Sequence, residues 1–118
     1  MSELSREEIY QEVGKIVGQF PLLKCKECAE TVMAWLKENG IEGKFLRLKT
    51  RKRNDFFIVS ERYSSNESIT DNGVHYGVEV MGLVFDNLSG EGMLREAWIK
   101  DFSCRSGEFT LQELESLE

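Results

Sequence analysis

The sequence predicts an α+β fold, with helices first and an antiparallel sheet of about four or five short strands after them. Two observations lead there. Before Gly40 the apolar residues recur at helical spacing. Beyond it, short alternating or wholly apolar runs are separated by turn signals. With one proline and ten glycines in 118 residues, no long disordered linker is expected, and 1–118 reads as a single domain.

The first helix opens with a Ser-x-x-Glu capping box at Ser5 and Glu8. Ile9, Val13, Ile16, Val17 and Phe20 follow on one stripe, and Pro21 stops it. The second starts near Cys25. Cys25, Cys28, Ala29, Val32 and Leu36 share a face, Lys26, Glu30 and Lys37 lie off it, and Gly40 ends it. Ile41 to Thr50 reads as a strand, Arg51 to Asp55 as a turn, and Phe56 to Val59 as a second strand. Ser60 to Gly73 is polar and reads as the longest loop, closing on Asp71-Asn72-Gly73. Val74 to Val80 and Leu83 to Phe85 predict a hairpin around Met81-Gly82. Ser89 to Gly92 reads as another turn, and Trp98, Ile99 and Phe102 mark a short apolar segment. Thr110 to Glu113 repeats the capping-box spacing, which predicts a short acidic helix within 107–118.

Composition narrows the function classes. A net charge of -6 argues against nucleic acid as a partner, because phosphate recognition needs a basic surface. The one basic island, Arg47 to Arg53, reads as a strand running into a solvated turn. No run of about 18 apolar residues is present, so no membrane-spanning helix is expected. The start, Met1 to Glu8, is polar and acidic rather than a signal peptide, and three cysteines leave at least one unpaired. A reducing, cytoplasmic setting fits these features.

The candidate chemistry gathers on three residues. Cys25 opens a helix, where unpaired N–H groups and the flanking Lys24 and Lys26 favour a thiolate nucleophile. Its alternative is a small buried hydrophobe. His75 is the only histidine, so any imidazole base must be this one; a structural histidine is the competing reading. Asp86 ends the apolar run Leu83-Val84-Phe85, where a carboxylate needs a partner. In a hairpin turning at Met81-Gly82 the start of one strand meets the end of the next, so His75 and Asp86 fall near each other by counting. Such an acid would fix the imidazole tautomer; a turn-capping aspartate is the alternative, and Asn87 is the weaker orienter. Gln19, six residues before Cys25, is a possible oxyanion donor or simply an exposed helix-end residue. Cys28 shares the buried face of Val32 and Leu36, and Cys104 has no spacing that suggests chemistry. Cys25, Cys28, His75 and Cys104 are also an allowed zinc set, and Cys25-x-x-Cys28 a redox pair. Against these, the pair lies in a helix's first turn and no thioredoxin-type strand precedes it. No glycine-rich phosphate loop is visible, so no metal or nucleotide cofactor is called for.

Cys25-Lys26-Glu27-Cys28-Ala29, the helix behind it, and Gly40-Ile41-Glu42-Gly43 before a strand resemble the opening of papain-like and transglutaminase-like domains. Asn72 to Val80 followed by Gly82 to Asn87 resembles the rest of that pattern. Together, over roughly residues 15–100, they resemble the second family of papain fold toxin domains found in bacterial polymorphic toxin systems. The resemblance implies a minimal papain-like fold, a Cys25-His75-Asp86 triad and a cysteine hydrolase or acyltransferase acting on proteins as a protease, deamidase or transglutaminase. It also implies a role in competition between bacteria, delivery into a target-cell cytoplasm and a cognate immunity protein as partner. Such domains usually end a long secreted protein. This chain begins with its own methionine, which leaves a free-standing relative, or a catalytically silent protein-binding module, as alternatives.

Overall fold

The computed structural model describes residues 4–52 and 54–114. Helix α1 spans Arg6–Val17, capped at Gly18 and so ending before Phe20 and Pro21, where the sequence placed its stop; α2 spans Cys25–Glu38, as the periodicity predicts. The capping box forms in both directions. Ser5 Oγ accepts from the Glu8 N–H at 3.2 Å, and Glu8 Oε1 accepts from the Ser5 N–H at 3.1 Å. Ile9, Val13 and Val17 of α1 are buried, as are Cys25, Cys28, Ala29, Val32 and Leu36 of α2.

Eight strands follow among the described residues: β1 (Lys44–Thr50), β2 (Ile58–Ser60), β3 (Ser64–Ser68), β4 (Val74–Val80), β5 (Leu83–Asp86), β6 (Ser89–Met93), β7 (Phe102–Cys104) and β8 (Phe109–Leu114). Helix α3 (Arg95–Lys100) lies between β6 and β7. The main sheet has the order β6-β5-β4-β1-β8 and the smaller one β3-β2-β7; every pairing is antiparallel.

The main sheet separates two cores. On one face, α1 and α2 pack on Phe45, Val78, Val80 and Phe85. On the other, Leu46, Leu48 and Val84 meet Ile58, Ile69, Trp98 and Phe102 from the small sheet and α3. Alternation along β1 dictates this, since Phe45 and Leu46 must point to opposite faces. The β4–β5 hairpin turns at Met81 and Gly82, both at positive φ (50° and 87°) as a type I′ turn requires. The Tyr10 hydroxyl donates to the Met81 carbonyl at 2.5 Å, tying α1 to that turn.

Three local expectations are corrected. Ser60 to Gly73 is not one loop, because it contains β3; an edge strand pairs through its main chain and needs no apolar alternation to announce it. The stretch Ser89 to Gly92 is β6 rather than a turn. Its glycines serve a close approach: a Cβ on Gly14 of α1 would stand 2.5 Å from the Gly90 carbonyl oxygen. The helix expected within 107–118 is instead strand β8 over Phe109–Leu114, and residues 115–118 lie outside the described residues. There β1 takes a second partner along its outer edge, while Phe109 and Leu111 pack against the second core and Leu114 against the first. Burial of these side chains outweighs a capping pattern that has no apolar helical face behind it.

Candidate active site

The site is built where the start of α2 meets the start of β4 and the end of β5. Pro21 breaks the chain after α1, and the segment to Lys24 reaches α2 through Leu23, held at φ 74°. The Asn87 amide donates to the Pro21 carbonyl at 2.8 Å and anchors this segment to the end of β5. Asn87 therefore braces the approach to α2 and does not orient His75. Lys24 precedes the helix, and its side chain makes no capping hydrogen bond.

Cys25 is the first residue of α2 and is 8% exposed. Burial pushes its thiol up. The hydrogen bond and charge of His75, with the N–H groups of Tyr76 and of Cys25 itself, pull the other way and leave the thiol below its usual value. Cys28, one turn on, is the contrast: burial, then the charge of Asp86, pushes it up to about 12. Cys28 belongs to the helix-side core, as its spacing predicts.

His75 is the second residue of β4, opposite Leu48, and is enclosed by Trp98 and Phe102, with ring centroids 6.0 Å and 5.1 Å away. Its Nε2 lies 2.9 Å from Asp86 Oδ2. Its Nδ1 is buried and has no partner of full hydrogen-bond geometry, and the Cys25 thiol is the group with which the ring otherwise interacts. Burial alone would lower this imidazole. The Asp86 hydrogen bond, then that of Cys25, raise it to about 9. The hairpin arithmetic holds: Val78 faces Phe85 and Val80 faces Leu83, so the register runs on toward His75 and Asp86 at the open end.

Asp86 accepts five hydrogen bonds. Oδ2 receives His75 Nε2 at 2.9 Å, Trp98 Nε1 at 2.8 Å and Arg62 Nη2 at 2.8 Å. Oδ1 receives Arg62 Nη1 and the Leu88 N–H, both at 3.1 Å. Burial works against its charge, but His75 and Arg62 hold the carboxyl well below the usual carboxylate range. An ionised carboxylate only accepts, so in the neutral ring Nε2 must carry the proton. Nδ1 is then the free lone pair.

Arg62 and Trp98 were not legible as parts of this cluster. Arg62 sits in a polar stretch with no periodicity to place it. Trp98, legible only as part of a short apolar segment, is wholly buried behind His75 and holds Asp86. Gln19 is exposed on the turn after α1, and its side chain makes no hydrogen bond among the described residues. Cys104 lies on β7, its thiol near the Ser106 hydroxyl and the Glu108 carbonyl. The zinc set is thus not gathered, and no group of three metal-ligating side chains occurs among the described residues.

A cleft of ≈ 210 Å³ opens onto Cys25. Leu23 and Lys26 form one side; Ile69, Asp71, Asn72 and Tyr76 form the other. The far end of the stretch read as a loop therefore lines the cleft beside the thiol. No helix among the described residues is long and apolar enough to cross a membrane.

A family model described as papain fold toxin 2 matches residues 8–103. No curated protein and no solved structure matches the chain.

Proposed function

The chain belongs to the papain fold toxin 2 family, and from that premise we propose that it is a thiol-dependent hydrolase or acyltransferase acting on amide bonds of proteins. Cys25 is the nucleophile, His75 the base and Asp86 the residue that orients it. The single observation behind this reading is the contact of His75 Nε2 with Asp86 Oδ2 at 2.9 Å, with the Cys25 thiol as the other side chain that interacts with the ring.

His75 Nδ1 takes the Cys25 proton, leaving a thiolate beside an imidazolium. The sulfur attacks the amide carbon, and the oxygen of the tetrahedral intermediate faces the N–H of Cys25. Gln19 is the side chain to complete that hole, since it is exposed and uncommitted. As the C–N bond breaks, the imidazolium proton passes from Nδ1 to the leaving nitrogen. This leaves a thioester and a neutral imidazole. Water, or the amine of a second protein, then attacks the thioester carbon while Nδ1 takes its proton. The C–S bond breaks, and the proton returns to sulfur. Water gives proteolysis or deamidation; an amine gives transglutamination. The partners in this reading are a protein substrate in a cytoplasm, that of a target cell for a delivered toxin, and an immunity protein that covers the cleft.

The test is a thiol-reactive probe near neutral pH followed by mapping of the label, paired with growth of bacteria expressing the wild type or Cys25→Ala. Label on Cys25 and loss of growth inhibition in the variant are expected. Label on Cys28, or inhibition that survives Cys25→Ala, sinks the assignment and favours a binding module.

A further inference from the structure

We propose that Arg62 is a positioning residue: it locks the Asp86 carboxylate so that the imidazole keeps its proton on Nε2 and turns Nδ1 to the Cys25 thiol. The inference rests on the thiol chemistry proposed above and adds to it a residue from a loop of the small sheet. Arg62 lies in the connection between β2 and β3, outside both strands that carry His75 and Asp86.

The geometry is that of a fork gripping two acids. Nη1 and Nη2 bind the two oxygens of Asp86 at 3.1 Å and 2.8 Å, the planar bidentate pairing that guanidinium favours. Nε binds Asp101 Oδ2 at 2.8 Å, and the main-chain N–H of Arg62 binds Asp101 Oδ1 at 3.0 Å. The Ser60 hydroxyl also donates to Asp101, and Arg62 Nη1 donates to Ser89 Oγ at 2.8 Å. The guanidinium stands 5.7 Å from the Phe102 ring, the same ring that flanks His75. The Arg62 side chain is 17% exposed and Asp86 wholly buried. A guanidinium held at both ends cannot swing, so neither can the carboxylate it grips.

Five donors fill a carboxylate that has about four lone-pair sites. Without Arg62, Oδ1 keeps only the Leu88 N–H, and Oδ2 keeps His75 and Trp98. The carboxylate could then rotate about its last bond, and the imidazole would lose the fixed acceptor that selects one tautomer. The ionisable groups that bear on this cluster are Cys25 and Cys28 from α2, Asp101 after α3, and Arg62 itself. Arg62 is the only permanent cation among them.

The sequence holds one histidine, so nitrogen-15 histidine labelling reports His75 alone. The experiment records its two ring-nitrogen resonances, and the rate of Cys25 labelling by iodoacetamide, for wild type, Arg62→Gln, Arg62→Lys and His75→Ala. Folding of each variant is checked by circular dichroism. Above the value of about 9 given to His75, where the ring is neutral, wild type is expected to show one tautomer, protonated on Nε2. In Arg62→Gln the two tautomers mix, and labelling slows about tenfold, the scale expected when a reacting group is slightly misplaced. Arg62→Lys keeps a cation but not the fork, and falls between the two in both readouts. A folded Arg62→Gln with one unchanged tautomer and wild-type labelling overturns the proposal. If that variant does not fold, the same result in Arg62→Lys overturns it. The thiol reading fails differently: wild-type Cys25 would then label no faster than in His75→Ala, whatever the Arg62 variants do.

Discussion

His75 Nε2 lies 2.9 Å from Asp86 Oδ2 across a hairpin, and the carboxylate that receives it is already held by Trp98, Arg62 and the Leu88 N–H. An acid so fully occupied does not take the imidazole proton; it holds the ring and balances the charge that forms on it. Replacing Asp86 by Asn removes a buried charge and leaves the half-buried Arg62 with Asp101 alone as its charge partner, and the tautomer unfixed. The expected cost is about 3–5 kcal/mol of folding stability, the scale for removing one partner of a buried ion pair. Urea unfolding measures it, and a loss below about 1 kcal/mol contradicts the picture.

Acid sensitivity follows from the same carboxylate. Asp86 is depressed in the folded chain relative to an ordinary value of 3.8. Its contribution is therefore present above 3.8 and is lost as pH falls toward the folded value, because the unfolded chain binds the proton first. Unfolding free energy of the wild type should fall between about pH 5 and pH 2, by up to about 1.4 kcal/mol per pH unit from this group. Asp86→Asn should show a shallower decline over that range, and equal slopes count against the assignment.

Reaction of Cys25 with an anionic haloacetate should follow a bell in pH. The rate rises as the thiol ionises below its usual 9.0. It falls again as the imidazolium that attracts the reagent loses its proton near the value of about 9 given to His75. Neutral iodoacetamide lacks that attraction and should show the rise without the fall. A rate that rises only near the pH of an ordinary thiol means that Cys25 and His75 do not share a proton.

Cys28→Ala separates the two neighbouring thiols. Cys28 is a core side chain pushed up to about 12, so its loss should leave labelling at Cys25 unchanged. Stability should drop by about 1–2 kcal/mol, as for other small deletions in a packed core. Mass mapping of the label in the variant decides the point.

Gly77→Ala reaches the cluster from behind. An added Cβ would meet Trp98 Cζ2 at 2.9 Å, Val84 Cγ1 at 3.1 Å and the Phe85 carbonyl oxygen at 3.2 Å. The indole that holds Asp86 must then give way. The expected result is a loss of about 1–3 kcal/mol, typical of overpacking, together with slower labelling of Cys25. Unaltered labelling would show that the indole position is immaterial to the thiol.

Much of this was legible in the sequence where one residue dictates local geometry. Pro21, the capping box at Ser5 and the stripe from Cys28 to Leu36 place both helices, and Met81-Gly82 fixes the hairpin that brings His75 to Asp86. Cys25 stands at a helix start because its chain neighbours say so. Illegible were features that depend on partners distant in the chain. β3 is a polar edge strand with no apolar alternation to announce it, and β8 is a strand because β1 needs a neighbour. Arg62 carries no pattern at all; its place follows from Asp86 and Asp101 converging on it from different elements. Gly90 reads as a turn residue until α1 is seen lying on it.

Asn87 and Asp86 are consecutive, yet one grips the Pro21 carbonyl ahead of the cysteine helix and the other grips the imidazole. If β5 slides as the sheet flexes, it drags both contacts by the same amount. The sulfur and the ring then travel in step, and their separation is insulated from breathing of the sheet that would otherwise pull them apart.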